Sequence, residues 1–239
     1  MQTTLTDVIA KADALYSRRS DIESVRLSIK LLHDVYQDAY DAAWRLGRAH
    51  FFLGQEEKDE SEARSHYGHG IRACKCAVRL RPEAVETQFW LGVNLALMAG
   101  LEKRFRALSF AFRATRALRS AVRIDPAYHG AGPLRVLARV QHKLPRWCGG
   151  GSGRARTHFE EAIMLAPENT VTRIYFAELL LEIGEELEAR KHLQTILRVP
   201  IDPAWDFETM RDQKLASEKL KAIEEANTSE PGAVATGSG

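Results

Sequence analysis

The chain has 239 residues, 45% hydrophobic and 28% charged, a composition ordinary for a folded protein and sufficient for one extended or two small domains. Its net charge of +2 lacks the basic excess of a general nucleic-acid binder. There is no apolar run of about 18 residues to suggest a membrane span. Cys74, Cys76 and Cys148 cannot all pair, which points to a reducing compartment or to no disulfides.

In chain order, residues 2–16 and 21–36 read as two helices, the second with Ile22, Val25, Ile29, Leu32 and Val35 at helical spacing and Asp21 as a start signal. The N-terminus has no basic region followed by an apolar run, so no signal peptide is read there. The expected location is the cytoplasm, or the periplasm if a leader has been removed. Residues 40–53 and 61–80 then pair as a hairpin, with Gly54 as the stop and 55–60 as the polar turn.

The second helix ends Ala77-Val78-Arg79-Leu80-Arg81-Pro82, and the same pattern returns as Ala121-Val122-Arg123-Ile124-Asp125-Pro126 and Ala162-Ile163-Met164-Leu165-Ala166-Pro167. With Pro203, these prolines recur roughly every 40 residues, the period of a helical-hairpin solenoid. A proline cannot continue the helix behind it, so each stop also opens the next unit. Earlier in each unit, Trp44-Arg45-Leu46-Gly47, Phe89-Trp90-Leu91-Gly92, Arg135-Val136-Leu137-Ala138 and Ile174-Tyr175-Phe176-Ala177 hold equivalent places. The small fourth residue lets a partner helix approach.

The Leu-Gly or x-Ala step, the later Ala and the closing Pro resemble tetratricopeptide repeats. Insertions at 101–113 and 145–153 are expected to lengthen the units. The unit from 168 to 200, with its Gly184 turn, is close to standard length. A narrower resemblance lies in Tyr128-His129-Gly130-Ala131-Gly132-Pro133-Leu134-Arg135-Val136-Leu137-Ala138-Arg139, Leu144-Pro145, Gly149-Gly150, Ala155 and His158-Phe159-Glu160-Glu161-Ala162. That block is similar to the T component associated with tripartite ATP-independent periplasmic transporters, over roughly residues 70–220. It implies an auxiliary binding partner of a solute-binding protein. A looser likeness extends to the eukaryotic regulator-of-microtubule-dynamics family, which implies partner or lipid binding.

The expected fold is all-α: a right-handed superhelix of about four degenerate tetratricopeptide-like hairpins, with extra N-terminal helices and a C-terminal capping helix. One domain is expected over 1–226, divided into N-terminal helices 1–38, hairpins 39–200 and the cap 201–226. Residues 227–239 read as a disordered tail.

No catalytic set, cofactor or metal site is implied. His66 and His69, three apart, make at most an open two-ligand site. Cys74-x-Cys76 lacks a second ligand pair, and His129 reads as shaping a turn. Gly149-Gly150-Gly151-Ser152-Gly153 lacks the strand and Lys-Ser/Thr of a phosphate loop and reads as a flexible connector, with weak anion capture as the alternative. Between 103 and 123 stand Lys103, Arg104, Arg106, Arg113, Arg116, Arg119 and Arg123 with no acid. Leu101, Phe105, Leu108 and Phe112 form an apolar stripe there, out of phase with Leu118, Ala121 and Val122, which predicts a bend near 112–115. The segment reads as a solvated repeat helix, with an anionic membrane surface as the alternative.

First helices of successive hairpins line the concave face of such superhelices. Transferring that phase selects Trp44, Arg48, Phe51, Phe89, Val93, Arg135, Arg139, His142, Ile174 and Glu178 as the partner-binding set. Arg135 and Arg139 share a face and offer forked donors to a carboxylate or phosphate. The expected function is a non-enzymatic module binding a protein or peptide in this groove. The alternative is capture of a small acidic or lipid-like ligand. Neither nucleic acid nor stable membrane insertion is expected, and a homo-oligomer would follow if an apolar hairpin face stays uncovered.

Overall fold

The computed structural model describes residues 4–202 and 205–229, and every regular element among them is helical. The chain divides into two compact units, residues 1–167 and 168–239. In the first, α1 (Leu5–Tyr16), α3 (Tyr40–Glu56), α5 (Val85–Leu101) and α7 (Tyr128–Lys143) alternate with α2 (Ile22–His33), α4 (Glu60–Leu80), α6 (Arg104–Ile124) and α8 (Ser152–Leu165). Each neighbouring pair in sequence packs as a hairpin or on the next hairpin. The first helices α1, α3, α5 and α7 also touch one another in succession, whereas the second helices do not. The N-terminal pair therefore stacks as a hairpin in its own right.

Polar side chains start several of these helices. Thr4 and Asp7 form a reciprocal capping box on α1, and Asp21 and Asp59 cap α2 and α4. Glycines then set how closely helices cross. A Cβ on Gly47 would lie 2.2 Å from Cys74 Sγ, and one on Gly92 would lie 2.6 Å from Leu118 Cγ. The wholly buried Asn94 ties α5 to α3 by donating from Nδ2 to the Gly47 carbonyl at 3.1 Å. Phe89, Trp90, Leu95, Leu118 and Leu137 make the largest core around these crossings.

Several local expectations are corrected. Gly54 does not stop α3, which runs to Glu56; its missing side chain admits the Tyr67 ring, whose Cε1 would stand 2.5 Å from a Cβ there. The insertion expected at 101–113 is built as helix. These residues end α5 and begin α6, and the extra repeat length is helix: α4 and α6 have 21 residues each, whereas the equivalent helix of the second unit, Glu186–Ile196, has 11. Nor does α6 bend near 112–115. Its buried face is Ala111, Ala114, Ala117, Leu118 and Ala121, so Phe105 and Phe112 of the apolar stripe face outward.

In the second unit, α9 (Thr170–Glu182) and α10 (Glu186–Ile196) turn at Gly184, whose φ of +83° is the left-handed conformation glycine accepts freely. Helix α11 (Asp206–Ser229) packs on both. Thr170 donates to the buried Asp212 at 2.6 Å, and Lys219 pairs with Glu178 at 3.0 Å. Helix α11 thus extends past Ala226 into the stretch read as tail, and residues 230–239 of that stretch lie outside the described residues, as do Pro203 and Ala204. No described helix is long and apolar enough to cross a membrane.

Candidate binding face on the first helices

Within the first unit, the row of first helices carries a continuous aromatic layer. The Phe51 and Trp90 rings lie 5.3 Å apart, Trp90 and His129 5.1 Å, and Phe89 and Tyr128 5.4 Å. Trp90 Nε1 donates to the Tyr128 hydroxyl at 3.3 Å, so the indole nitrogen is satisfied without water. Burial raises the Tyr128 phenol to about 12, and this hydroxyl stays protonated.

Arginines flank that layer. The Arg45 guanidinium lies 4.2 Å from the Trp44 ring centre, and that of Arg48 lies 3.9 Å from Tyr16 and 5.2 Å from Trp44. Asp13 fixes both: its two oxygens accept from Arg45 Nε at 2.9 Å and Arg48 Nη2 at 2.8 Å. Arg48 Nε, also buried, has no hydrogen-bond partner among the described residues. A buried donor left unmade is costly and marks a place where an acceptor is missing.

The start of α7 closes this face. His129, Gly130 and Ala131 take successive left-handed conformations, with φ of 53°, 60° and 56°, before the right-handed helix begins. For the two non-glycine residues this costs about 1–3 kcal/mol each. The stretch is held by Ala131 N–H on the Ala127 carbonyl at 3.1 Å and by Arg135 Nη1 on the Gly130 carbonyl at 2.8 Å. It swings His129 edge-on against Phe89 and tilted against Trp90. Burial and the guanidinium of Arg135 then hold the His129 imidazole down at about 3, so it is neutral at physiological pH.

The predicted set is therefore divided. Trp44, Arg48 and Phe51 are brought together, half-buried, on this face. Phe89, Val93 and Ile174 are not groove residues: all three are buried in helix packing. Arg135 does not offer a fork with Arg139, because the left-handed turn presents a carbonyl that takes its guanidinium. Arg139 instead reaches His142 Nδ1 at 3.4 Å. Glu178, in the second unit, is in the ion pair with Lys219. Residues that the repeat phase does not select, Asp13, Tyr16, Arg45 and Tyr128, complete the face. The i, i+4 aromatic–arginine spacing of Trp44 and Arg48 is the one sequence signal for it.

The glycine run is not a flexible connector and is not an anion cradle. Gly149 N–H goes to Arg146, Gly150 N–H to Pro145 and Gly151 N–H to Gln141, all carbonyls within 3.1 Å. Those donors are spent on the turn itself.

His66 and His69 meet a third histidine, His50. Its Nδ1 lies 3.1 Å from His66 Nδ1, and its ring stacks on His69 at 5.1 Å. Among the described residues no three-ligand metal set forms. Burial, then the neighbouring His66, His69, Arg72 and His33, hold His50 down at about 3. The unfolded chain takes up that proton near pH 6.5, the folded chain only near 3. Between the two the unfolded state binds more protons, so stability is whole above about pH 6.5 and falls as pH drops through the window. The expected slope is about 1.4 kcal/mol per pH unit for this group. Urea midpoints measured from about pH 7 to about pH 5 should fall accordingly, and less steeply in His50→Gln.

Residues 8–132 match the family model described as Regulator of microtubule dynamics protein 1-3. The match thus falls to the looser of the two likenesses, and it runs from α1 to the left-handed turn. No curated protein matches the sequence. Among solved structures, a thermophilic TPR protein from Thermus thermophilus is similar with a TM-score of 0.66 at 18% identity, over 88% of this chain and 97% of that one. MamA is similar with a TM-score of 0.44 at 17% identity, over 70% of this chain and 96% of that one. The assembly chaperone of RpL4, residues 1–338, gives 0.43 at 16% identity, over 93% and 99%. The first of these places the fold among tetratricopeptide-type solenoids.

Proposed function

This chain belongs to the Regulator of microtubule dynamics protein 1-3 family, and from that premise we propose that it is a non-enzymatic module that binds a protein partner on the first-helix face of residues 1–167, in a role connected with microtubules. One observation carries the reading: the Trp44–Arg45–Arg48–Tyr16 array, with Arg48 Nε buried and lacking an acceptor. Tryptophan, tyrosine and arginine are the side-chain types that dominate protein interfaces, and here they stand partly exposed over an aromatic floor, the Arg45 and Arg48 side chains at 15% and 18%. The same array suits a partner segment that brings a carboxylate beside an apolar anchor. The same arginines also suit the smaller-ligand alternative, a free acidic molecule at Arg48. The transporter-associated role implied by the middle block would place such a ligand in the periplasm, which the microtubule connection does not.

Co-sedimentation of the purified chain with polymerised tubulin tests the reading. Binding is expected, and Trp44→Ala with Arg48→Gln should weaken it by about thirtyfold or more, the loss typical of truncated interface anchors. Thermal melts of the variants separate lost contact from lost fold. Absence of binding to polymer and to free tubulin would sink the microtubule connection.

A further inference from the structure

Helix α6 exposes what a core helix hides. Phe105 is 85% exposed and Phe112 48%, seven residues apart and so on one face across two turns. Around them stand Lys103, Arg104, Arg113, Arg116 and Arg119, all exposed, with no acid between 103 and 124. Helices α5 and α7 are adjacent first helices, so the turns that follow them emerge at the same end of the unit. The second of these turns carries Arg146 and Trp147, the latter 80% exposed.

Two further features point the same way. Helices α6 and α8 begin without a side-chain cap and without an acid in the first turn, whereas α1, α2 and α4 have both. Cations at the positive end of a helix dipole are unfavourable unless an anion joins them; Glu102, just ahead of α6, takes Arg106 at 3.1 Å, while Lys103 and Arg104 remain beside that end. Arg104 is also held at a φ of +52°.

We propose that the outer face of α6 and the α7–α8 turn dock this unit onto an anionic bilayer surface. Phe105, Phe112 and Trp147 enter the headgroup layer, and the basic side chains meet lipid phosphates. A bilayer is favoured over an acidic protein because the aromatic rings protrude from a helix face and a turn. Soft lipid closes around such rings, while a folded partner needs a matching pocket. The contact stops at the α3–α4 turn, where Glu56, Glu57, Asp59, Glu60 and Glu62 reverse the charge. This surface is separate from the aromatic face on the first helices, so loss of tubulin binding leaves it standing.

The test is flotation of the full chain with vesicles of phosphatidylcholine containing roughly one-third phosphatidylserine, against phosphatidylcholine alone. Binding to the anionic vesicles only is expected, weakening about tenfold or more when salt rises from about 0.1 to about 0.5 M. Phe105→Ser with Trp147→Ser, and separately Arg113→Glu with Arg116→Glu, should each reduce binding about tenfold with unchanged melting, because these side chains are exposed. Equal affinity for both vesicle types, no binding to either, or variants that bind as tightly as the parent would overturn the proposal. So would capture of soluble polyglutamate by this face without vesicle binding, which would assign it to an acidic protein.

Discussion

Trp90→Ala is expected to destabilise the first unit by about 3–5 kcal/mol, the range for removing a large buried aromatic. The indole is 2% exposed and touches the rings of Phe51, Phe89 and His129, so its loss opens a cavity at the crossing of α3, α5 and α7. The surrounding rings are themselves buried in the same core, which limits how far they can move into the cavity. The Tyr128 hydroxyl loses its hydrogen-bond donor at the same time. A drop in urea midpoint, with the slope of unfolding unchanged, would report this as lost stability alone. Trp90→Phe should recover part of the loss, since a smaller ring leaves a smaller void. A shift below about 1 kcal/mol in Trp90→Ala would mean that the aromatic layer does not hold the first helices together.

Gly150→Ala should cost about 3 kcal/mol, the upper part of the range for overpacking. A Cβ there would lie 2.0 Å from the Leu144 carbonyl oxygen and 2.6 Å from that of Gln141. Both are backbone atoms at the end of α7, and neither can rotate away as a side chain would. Relief requires breaking the Gly151–Gln141 hydrogen bond of 2.9 Å, and with it the turn into α8. Gly153→Ala, just inside α8 and with nothing within 4 Å of its Cβ, is the matched control. It should be neutral or slightly stabilising, since alanine favours a helix over glycine. Thermal melts of the two variants distinguish a built turn from a loose tether.

These two sites show what is legible in the sequence. The proline stops at 82, 126 and 167 locate the hairpins because a proline acts locally on the residue before it. The helix-end patterns therefore carry the fold, and the helices read at 40–53 and 61–80 fall close to their observed bounds, Tyr40–Glu56 and Glu60–Leu80. Gly150 is unreadable because its role depends on the carbonyls of Gln141 and Leu144, well behind it in the chain. Phe89 and Val93 are misplaced for a related reason. Repeat phase puts them on the first-helix face, but Tyr128 and His129 of the left-handed stretch at the start of α7 pack against Phe89, and Val93 lies in the same buried core. A run of left-handed residues has no periodic signature. Arg48 is legible because its pairing with Trp44 is a short-range helical spacing, whereas Asp13 and Tyr16 come from another hairpin. The stripe of α6 is recognisable, yet only burial tells which side of a helix an apolar stripe faces.

The unequal contacts of the two helix rows have a mechanical consequence. The backbones of the first helices approach one another from α1 to α7, while those of α2, α4, α6 and α8 come as close only to their sequence neighbours. Such an arrangement has a spine and open pages. Bending that spreads the outer row parts no closely approaching backbones within that row and is the softer direction. Bending that parts the inner row must separate the aromatic layer and is stiff. A partner lying along the first helices would thus meet a surface already rigid and lose little freedom in ordering it, so its grip would depend on fit rather than on clamping.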